Sequence, residues 1–161
     1  MTSSSDKTTT LLFLRRGNEV LLAMKKRGFG KGRWNGTGGK VDPGETVEQA
    51  MVRECQEEIE VTPTKYYKAA EHDFVLNAGQ AGEWHMHCHA FVCSGWEGEP
   101  AETEEMAPRW FKVSEVPYDQ MWQDDRHWMP QVFDGKRLRT HFTFDEHDNM
   151  LSKEITVVAE L

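Results

Sequence analysis

Residues 39–61 read GKVDPGETVEQAMVRECQEEIEV, and this stretch sets what the remainder of the chain must be built to hold. Pro43-Gly44 makes a turn, and Thr46 with Gln49 forms a capping-box pattern that starts a helix. Val47, Met51, Cys55 and Ile59 recur at a spacing of four as its buried stripe, and Thr62-Pro63 ends the element. Beside the stripe, Glu54, Glu57 and Glu58 stand at i, i+3 and i+4, so they share an arc of roughly 100° on one helix face. Like charges held this close repel one another. A hard divalent cation takes oxygen ligands and removes that repulsion, so the helix is expected to carry metal.

Upstream lies KKRGFGKGRWNGTGGK, with six glycines and the basic set Lys25, Lys26, Arg27, Lys31 and Arg33. Glycine at this density excludes a regular helix and suits a loop whose backbone approaches a ligand closely; a solvated loop is the alternative. Thr10 to Arg15 and Glu19 to Met24, joined by Arg16-Gly17-Asn18, read as a β-hairpin. Residues 1–8 have nothing to bury and are expected to form a frayed tail, leaving a single domain over residues 9–161.

Downstream, Tyr66 to Val75 and Glu83 to Cys93 read as strands. His85, His87 and His89 fall on one face of the second, a spacing that strand alternation produces easily and that makes a weak zinc signal. Gly95 to Pro108 is an acidic loop, Arg109 to Val113 a short strand, and Arg139 to Phe144 with Leu151 to Val158 a closing hairpin. Asp124-Asp125 caps a second helix carrying Trp128, Met129, Val132 and Phe133, with Pro130 in its first turn or bending it. The expected class is α+β, a layered α/β/α sandwich with one mixed sheet and two helices.

The chain has 161 residues, 38% apolar and 29% charged, as a globular domain requires. Nineteen basic against 27 acidic residues give a formal charge of −8, which argues against binding a nucleic acid polymer but leaves a single nucleotide open. No apolar run reaches membrane-spanning length and the polar start lacks a secretory signal, so the expected location is the cytosol, with no membrane partner. Cys55, Cys88 and Cys93 are odd in number and lack CxxC spacing, so they are expected to be reduced and mostly buried.

The order Gly39, five residues, Glu45, seven residues, Arg53-Glu54, then Cys55-Gln56-Glu57-Glu58 resembles the Nudix box, the signature of the Nudix hydrolases. The resemblance implies the Nudix fold, with Glu54, Glu57 and Glu58 as ligands of Mg2+, for which Mn2+ is a possible substitute. It implies that Arg53 orients the cluster, that Glu45 holds loop and helix together, and that Glu105 approaches the attacking water or the metal. A charged amphipathic helix, and for Glu105 a solvated loop charge, are the alternatives. Two positions depart from the pattern. Cys55 stands where the family has an aliphatic residue. Glu60 replaces a glycine whose left-handed cap costs glutamate about 1 kcal/mol.

MKKRGFGKGRWNGTGGKVDPGET, EEMAPRWF and MWQDDRHWMP resemble one Nudix subfamily, the 8-oxo-dGTP diphosphatases, which hydrolyse oxidised purine nucleoside triphosphates. That resemblance implies a base pocket in which Trp122 stacks and Asp124 and Asp125 read the base edge, one as acceptor and one, protonated, as donor. Asn35 would contact the base, Lys25 would sit near its strand end and Thr10 near the sugar, with Phe29, Phe74 and Met106 along the walls. Leu76 replaces a favoured aromatic residue. Core packing of the tryptophans and simple capping by the aspartates are the alternatives. The implied activity is Mg-dependent hydrolysis to the monophosphate and pyrophosphate, sanitising the nucleotide pool. The rivals are other Nudix specificities, including unmodified or methylated purine triphosphates and nucleoside diphosphate sugars, and a non-catalytic sensor. A monomer is the default expectation.

Overall fold

The computed structural model describes residues 6–161. Its strands are β1 (Asp6–Arg16), β2 (Glu19–Lys25), β3 (Trp34–Asn35), β4 (Thr62–Leu76), β5 (Trp84–Glu97), β6 (Met106–Lys112), β7 (Arg137–Phe144) and β8 (Met150–Val158). The α-helices are α1 (Val47–Ile59) and α2 (Asp125–Phe133). The strands form a mixed sheet in the order β3-β2-β1-β5-β4-β7-β8, with β6 paired to β2.

Alternation along the central strands divides the buried side chains into two layers. Leu11 and Phe13 of β1 and Val20 and Leu22 of β2 pack with Trp128, Met129 and Val132 of α2. Their neighbours Leu12, Leu14, Leu21 and Ala23 pack with Met51, Cys55 and Ile59 of α1. A helix therefore covers each side of the sheet, which is the layered α/β/α arrangement. All three cysteines are free and buried.

β1 organises the site. It pairs parallel with β5 from Asp6 to Leu14 and meets β2 only at Arg15 and Arg16. Between these contacts its other edge takes the glycine segment, with Thr10 N donating to Gly39 O at 2.9 Å and Leu12 N to Thr37 O at 2.7 Å. Glycine is needed here for clearance, since a Cβ on Gly38 would lie 1.9 Å from Thr10 O and one on Gly36 2.5 Å from Leu12 O.

Several features differ from expectation: β4 starts at Thr62 rather than Tyr66, and the expected Gly95–Pro108 loop is shortened at both ends because β5 runs to Glu97 and β6, paired with β2, starts at Met106. Residues 6–8 of the expected tail are part of β1, because β5 offers them partners as far as His85; residues 1–5 of that tail lie outside the described residues. Asp124 occupies the N-cap of α2 in helical backbone geometry, and its side chain makes no capping bond. Pro130 falls in the second turn of that helix. The capping box of α1 forms as read, with Gln49 N to Thr46 Oγ1 at 3.1 Å and Thr46 N to Gln49 Oε1 at 2.9 Å. Glu60 takes the left-handed cap itself, at φ 61° and ψ 34°. The loop that follows β5 holds that end, with Ala101 N donating to Ile59 O at 3.0 Å and Thr103 Oγ1 to Glu58 O at 2.7 Å.

Candidate active site

The carboxylate arc of α1 forms one wall of an acidic cleft. Glu54, Glu57 and Glu58 line it with Thr103, Glu104 and Glu105 from the loop before β6, and with Arg27 from the glycine loop. Arg53 ties the helix to the preceding turn, donating through Nε to Glu45 Oε2 at 2.7 Å and through Nη2 to Glu45 Oε1 at 2.9 Å. Its Nη1 reaches Glu54 at 2.8 Å and Glu57 at 3.2 Å, and Nη2 donates to Lys40 O at 3.1 Å. Hydrogen bonds from Arg53 hold the Glu45 carboxyl down to about 2. Glu45 Oε1 also accepts from Asp42 N at 2.9 Å, so it joins loop and helix.

Two glycines seat the other carboxylates. Gly38 N donates to Glu58 Oε1 at 2.7 Å, and a Cβ on Gly39 would lie 2.6 Å from the Glu54 carboxyl. Glu58 is 3% exposed. Burial pushes its carboxyl up to about 8 against the pull of the Gly38 N–H, and burial also raises Glu54 despite Arg53. A cation at this cleft would reverse both shifts by favouring the charged forms, and an all-oxygen donor set suits a hard one. Among the described residues no three such side chains are already gathered around one point, because Glu54 and Glu57 turn to Arg53.

A second concavity adjoins the first, of about 160 Å³ between the glycine segment, β4, β5 and the start of α2. Thr10, Lys25, Phe29, Asn35, Phe74, Met106, Trp122, Asp124 and Asp125 all line it. Gly38 and Gly39 line it too while touching the carboxylates of α1, so one backbone segment joins the two regions. Phe29 lies 5.1 Å from Trp122 at an interplanar angle of 33°, and the Arg33 guanidinium sits 4.1 Å over the Trp122 ring. At 51% exposure Phe29 is the rim of the cavity. Phe74 is backed by Phe142, stacked at 5.6 Å.

Asp124 and Asp125 are 2% and 3% exposed. Asp124 Oδ2 accepts from the indole Nε1 of Trp128 at 2.9 Å, whereas Asp125 Oδ2 is buried with no partner. Burial raises both carboxyls, and the adjacent Asp124 charge adds to the rise of Asp125. Indole donation stabilises an Asp124 anion, so the shared proton belongs on Asp125. The cavity thus offers an acceptor beside a donor.

Several site features were not read from the sequence. Trp128 is fully buried, and its bond to Asp124 spans i to i+4 on one helix, a spacing that could have been noticed. Met86, Cys88 and Phe144 line the cavity through tertiary placement alone, beside Leu76 at the wall position expected of it. Thr9 also lines it, and Thr9 Oγ1 and Thr10 Oγ1 are buried without partners. Arg27 Nε donates to Glu105 Oε1 at 3.0 Å across 78 positions of sequence, a pairing that no local pattern announces. The three histidines of β5 do not act together: His87 pairs with Asp73 and His85 with Glu83 at 3.3 Å, while His89 Nδ1 is buried without a partner.

A family model described as NUDIX domain matches residues 6–132. The chain is 42% identical over 158 residues to the oxidized purine nucleoside triphosphate hydrolase of Danio rerio, covering 98% of this chain and 99% of that protein. It is 37% identical over 155 residues to the protein of the same name from Mus musculus, covering 96% and 97%. A crystal structure of a mutator MutT protein from Bacillus halodurans superposes with a TM-score of 0.81 at 24% identity, over 92% of this chain and 97% of that one, which is a likeness of fold. No helix among the described residues is long and apolar enough to cross a membrane.

Proposed function

The chain belongs to the NUDIX family, and from that membership we propose that it hydrolyses oxidised purine nucleoside triphosphates, of the 8-oxo-dGTP and 2-oxo-dATP type, to the monophosphate and pyrophosphate. One observation carries this reading: a cavity holding Trp122, Asn35, Asp124 and Asp125 adjoins the acidic cleft through Gly38 and Gly39. The physiological role is to remove oxidised nucleotides before a polymerase uses them, so preventing DNA damage. The protein works as a cytoplasmic monomer on a small nucleotide, with no nucleic acid polymer or membrane as partner.

Nudix hydrolases generally use divalent metal ions, and here Glu54, Glu57 and Glu58 would hold Mg2+, with Mn2+ as a substitute. When bound, the ion neutralises charge developing on the phosphates and acidifies the attacking water. Arg53, braced on Glu45, aligns the helix carboxylates. Glu105 faces them across the cleft, and a carboxylate of this cleft takes the proton of the attacking water.

In the cavity, Trp122 stacks on the purine between the walls formed by Phe29, Phe74 and Met106. Asp124 accepts a hydrogen bond from the base edge and the protonated Asp125 donates one. Asn35 adds a further base contact, Lys25 lies where base meets phosphate, and Thr10 lies near the sugar. A shift of the shared proton between the aspartates lets the same pocket accept oxidised guanine and oxidised adenine.

Product analysis with 8-oxo-dGTP, 2-oxo-dATP, dGTP and ADP-ribose tests the reading. The oxidised triphosphates are expected to be turned over preferentially, with pyrophosphate as co-product. Equal turnover of dGTP and 8-oxo-dGTP, or a preference for ADP-ribose, would overturn it.

A further inference from the structure

Arg27 is the one cation lining the acidic cleft among the described residues, facing Glu54, Glu57 and Glu58 of the helix and Glu104 and Glu105 of the opposite loop. A triphosphate entering this cleft brings more negative charge to a negative wall, so a positive side chain there has an evident use. The seat of Arg27 suits exchange. Its Nε and Nη2 both meet the same oxygen, Glu105 Oε1, while Nη1 lies 3.8 Å from Glu104. This one-oxygen contact leaves the guanidinium fork unmatched, and the side chain is 59% exposed.

The backbone beneath it is fixed. Lys26 N donates to Glu105 O at 2.9 Å and Lys26 Nζ to Thr103 O at 2.7 Å, so the glycine loop is tied to the glutamate loop just beside Arg27. The side chain can therefore turn about an anchored base without the loop opening.

We propose that Arg27 is a polyphosphate-binding residue and that Glu105 holds its place in the absence of substrate. On binding, the guanidinium leaves Glu105 for oxygens of the outer phosphates, and the Glu105 carboxylate becomes free to face the reacting centre. The inference rests on the reading that the cleft receives a nucleoside triphosphate. It adds a residue that distinguishes triphosphate from monophosphate independently of the base.

The test is metal-free binding in EDTA, followed by tryptophan fluorescence, with 8-oxo-dGTP and 8-oxo-dGMP as probes. Arg27→Ala is expected to weaken triphosphate binding about tenfold while leaving monophosphate binding within about twofold. Arg27→Lys, a point charge without a fork, should fall between Arg27→Ala and the wild type. Glu105→Gln should tighten triphosphate binding more than Glu104→Gln, which removes the same charge without freeing Arg27 as fully. Equal loss for both probes would mean that Arg27 only supports the loop, and no loss for the triphosphate would mean that it does not bind phosphate. Either result overturns the proposal. If the wild type binds 8-oxo-dGMP no better than dGMP, the base reading fails, and dGTP against dGMP still tests Arg27.

Discussion

The acidic cleft and the cavity proposed to hold the base meet at the Gly38–Gly39 segment and are assembled in opposite ways. One wall of the cleft is almost entirely local: Glu45, Arg53, Glu54, Glu57 and Glu58 belong to one turn and one helix, and Arg53 links three of the four glutamates directly. The cavity draws on β1, the glycine loop, β4, β5, β6, the start of α2 and β7. A helix delivers side chains at fixed angles, so a reaction class can be encoded in a short segment. A base-shaped cavity needs walls on several sides, so specificity is distributed and can drift while the chemistry stays constant.

If this division holds, changes in the cleft abolish turnover without affecting base binding. Glu58→Gln is expected to lower kcat by about a thousandfold, while Trp122 fluorescence still reports 8-oxo-dGMP binding at wild-type affinity. Comparable loss of both would merge the two regions into one.

The reverse experiment is Asp125→Asn or Asp124→Asn, each of which disturbs the donor and acceptor pair. We expect kcat/KM for 8-oxo-dGTP to fall by about a hundredfold, the cost of leaving buried polar groups mispaired, with much less effect on dGTP. The same variants carry a pH signature. Both carboxyls are raised in the folded protein by burial, Asp124 to about 6 and Asp125 well above the ordinary aspartate range, with the neighbouring Asp124 charge adding to its rise. The folded state therefore binds these protons more tightly than the unfolded chain, and the pair loses stability as pH rises above the ordinary aspartate range. Asp125→Asn removes that loss, so its Tm relative to wild type should rise between pH 5 and pH 8, by roughly 2–4 °C per kcal/mol relieved. A difference independent of pH would place the pair in another protonation state.

Trp122→Ala should weaken base binding about tenfold through lost stacking, measured by calorimetry with 8-oxo-dGMP, and leave hydrolysis at saturating substrate close to normal. The smallest effect is expected at Glu60→Gly. It relieves a left-handed glutamate and should stabilise by about 1 kcal/mol, visible as a higher Tm with unchanged kcat/KM. An altered kcat would mean that the helix terminus also positions Glu58, whose carbonyl Thr103 holds.

Much of the fold was legible because its signals are periodic and local. The capping box, the apolar stripe of α1 and the closing hairpin were each read within a few residues of their observed bounds. The start of β1 at Asp6 was not, because its polar residues are ordered only by pairing with β5. Asp124 had the composition of a cap, and only the neighbouring indole of Trp128 explains why its side chain turns inward. Glu60 kept the geometry of the glycine it replaces because tertiary contacts hold the helix end more firmly than one residue's preference can oppose.

The clustering of Glu54, Glu57 and Glu58 was legible in the sequence, since carboxylates at i, i+3 and i+4 share a helix face wherever that helix packs. Tertiary structure alone decided which groups stand across from them. Arg27 comes to Glu105, and the glycine segment comes to Glu54 and Glu58, through strand pairing and loop contacts between residues distant along the chain. Such contacts depend on the packed arrangement of the whole sheet, which no short window of sequence contains.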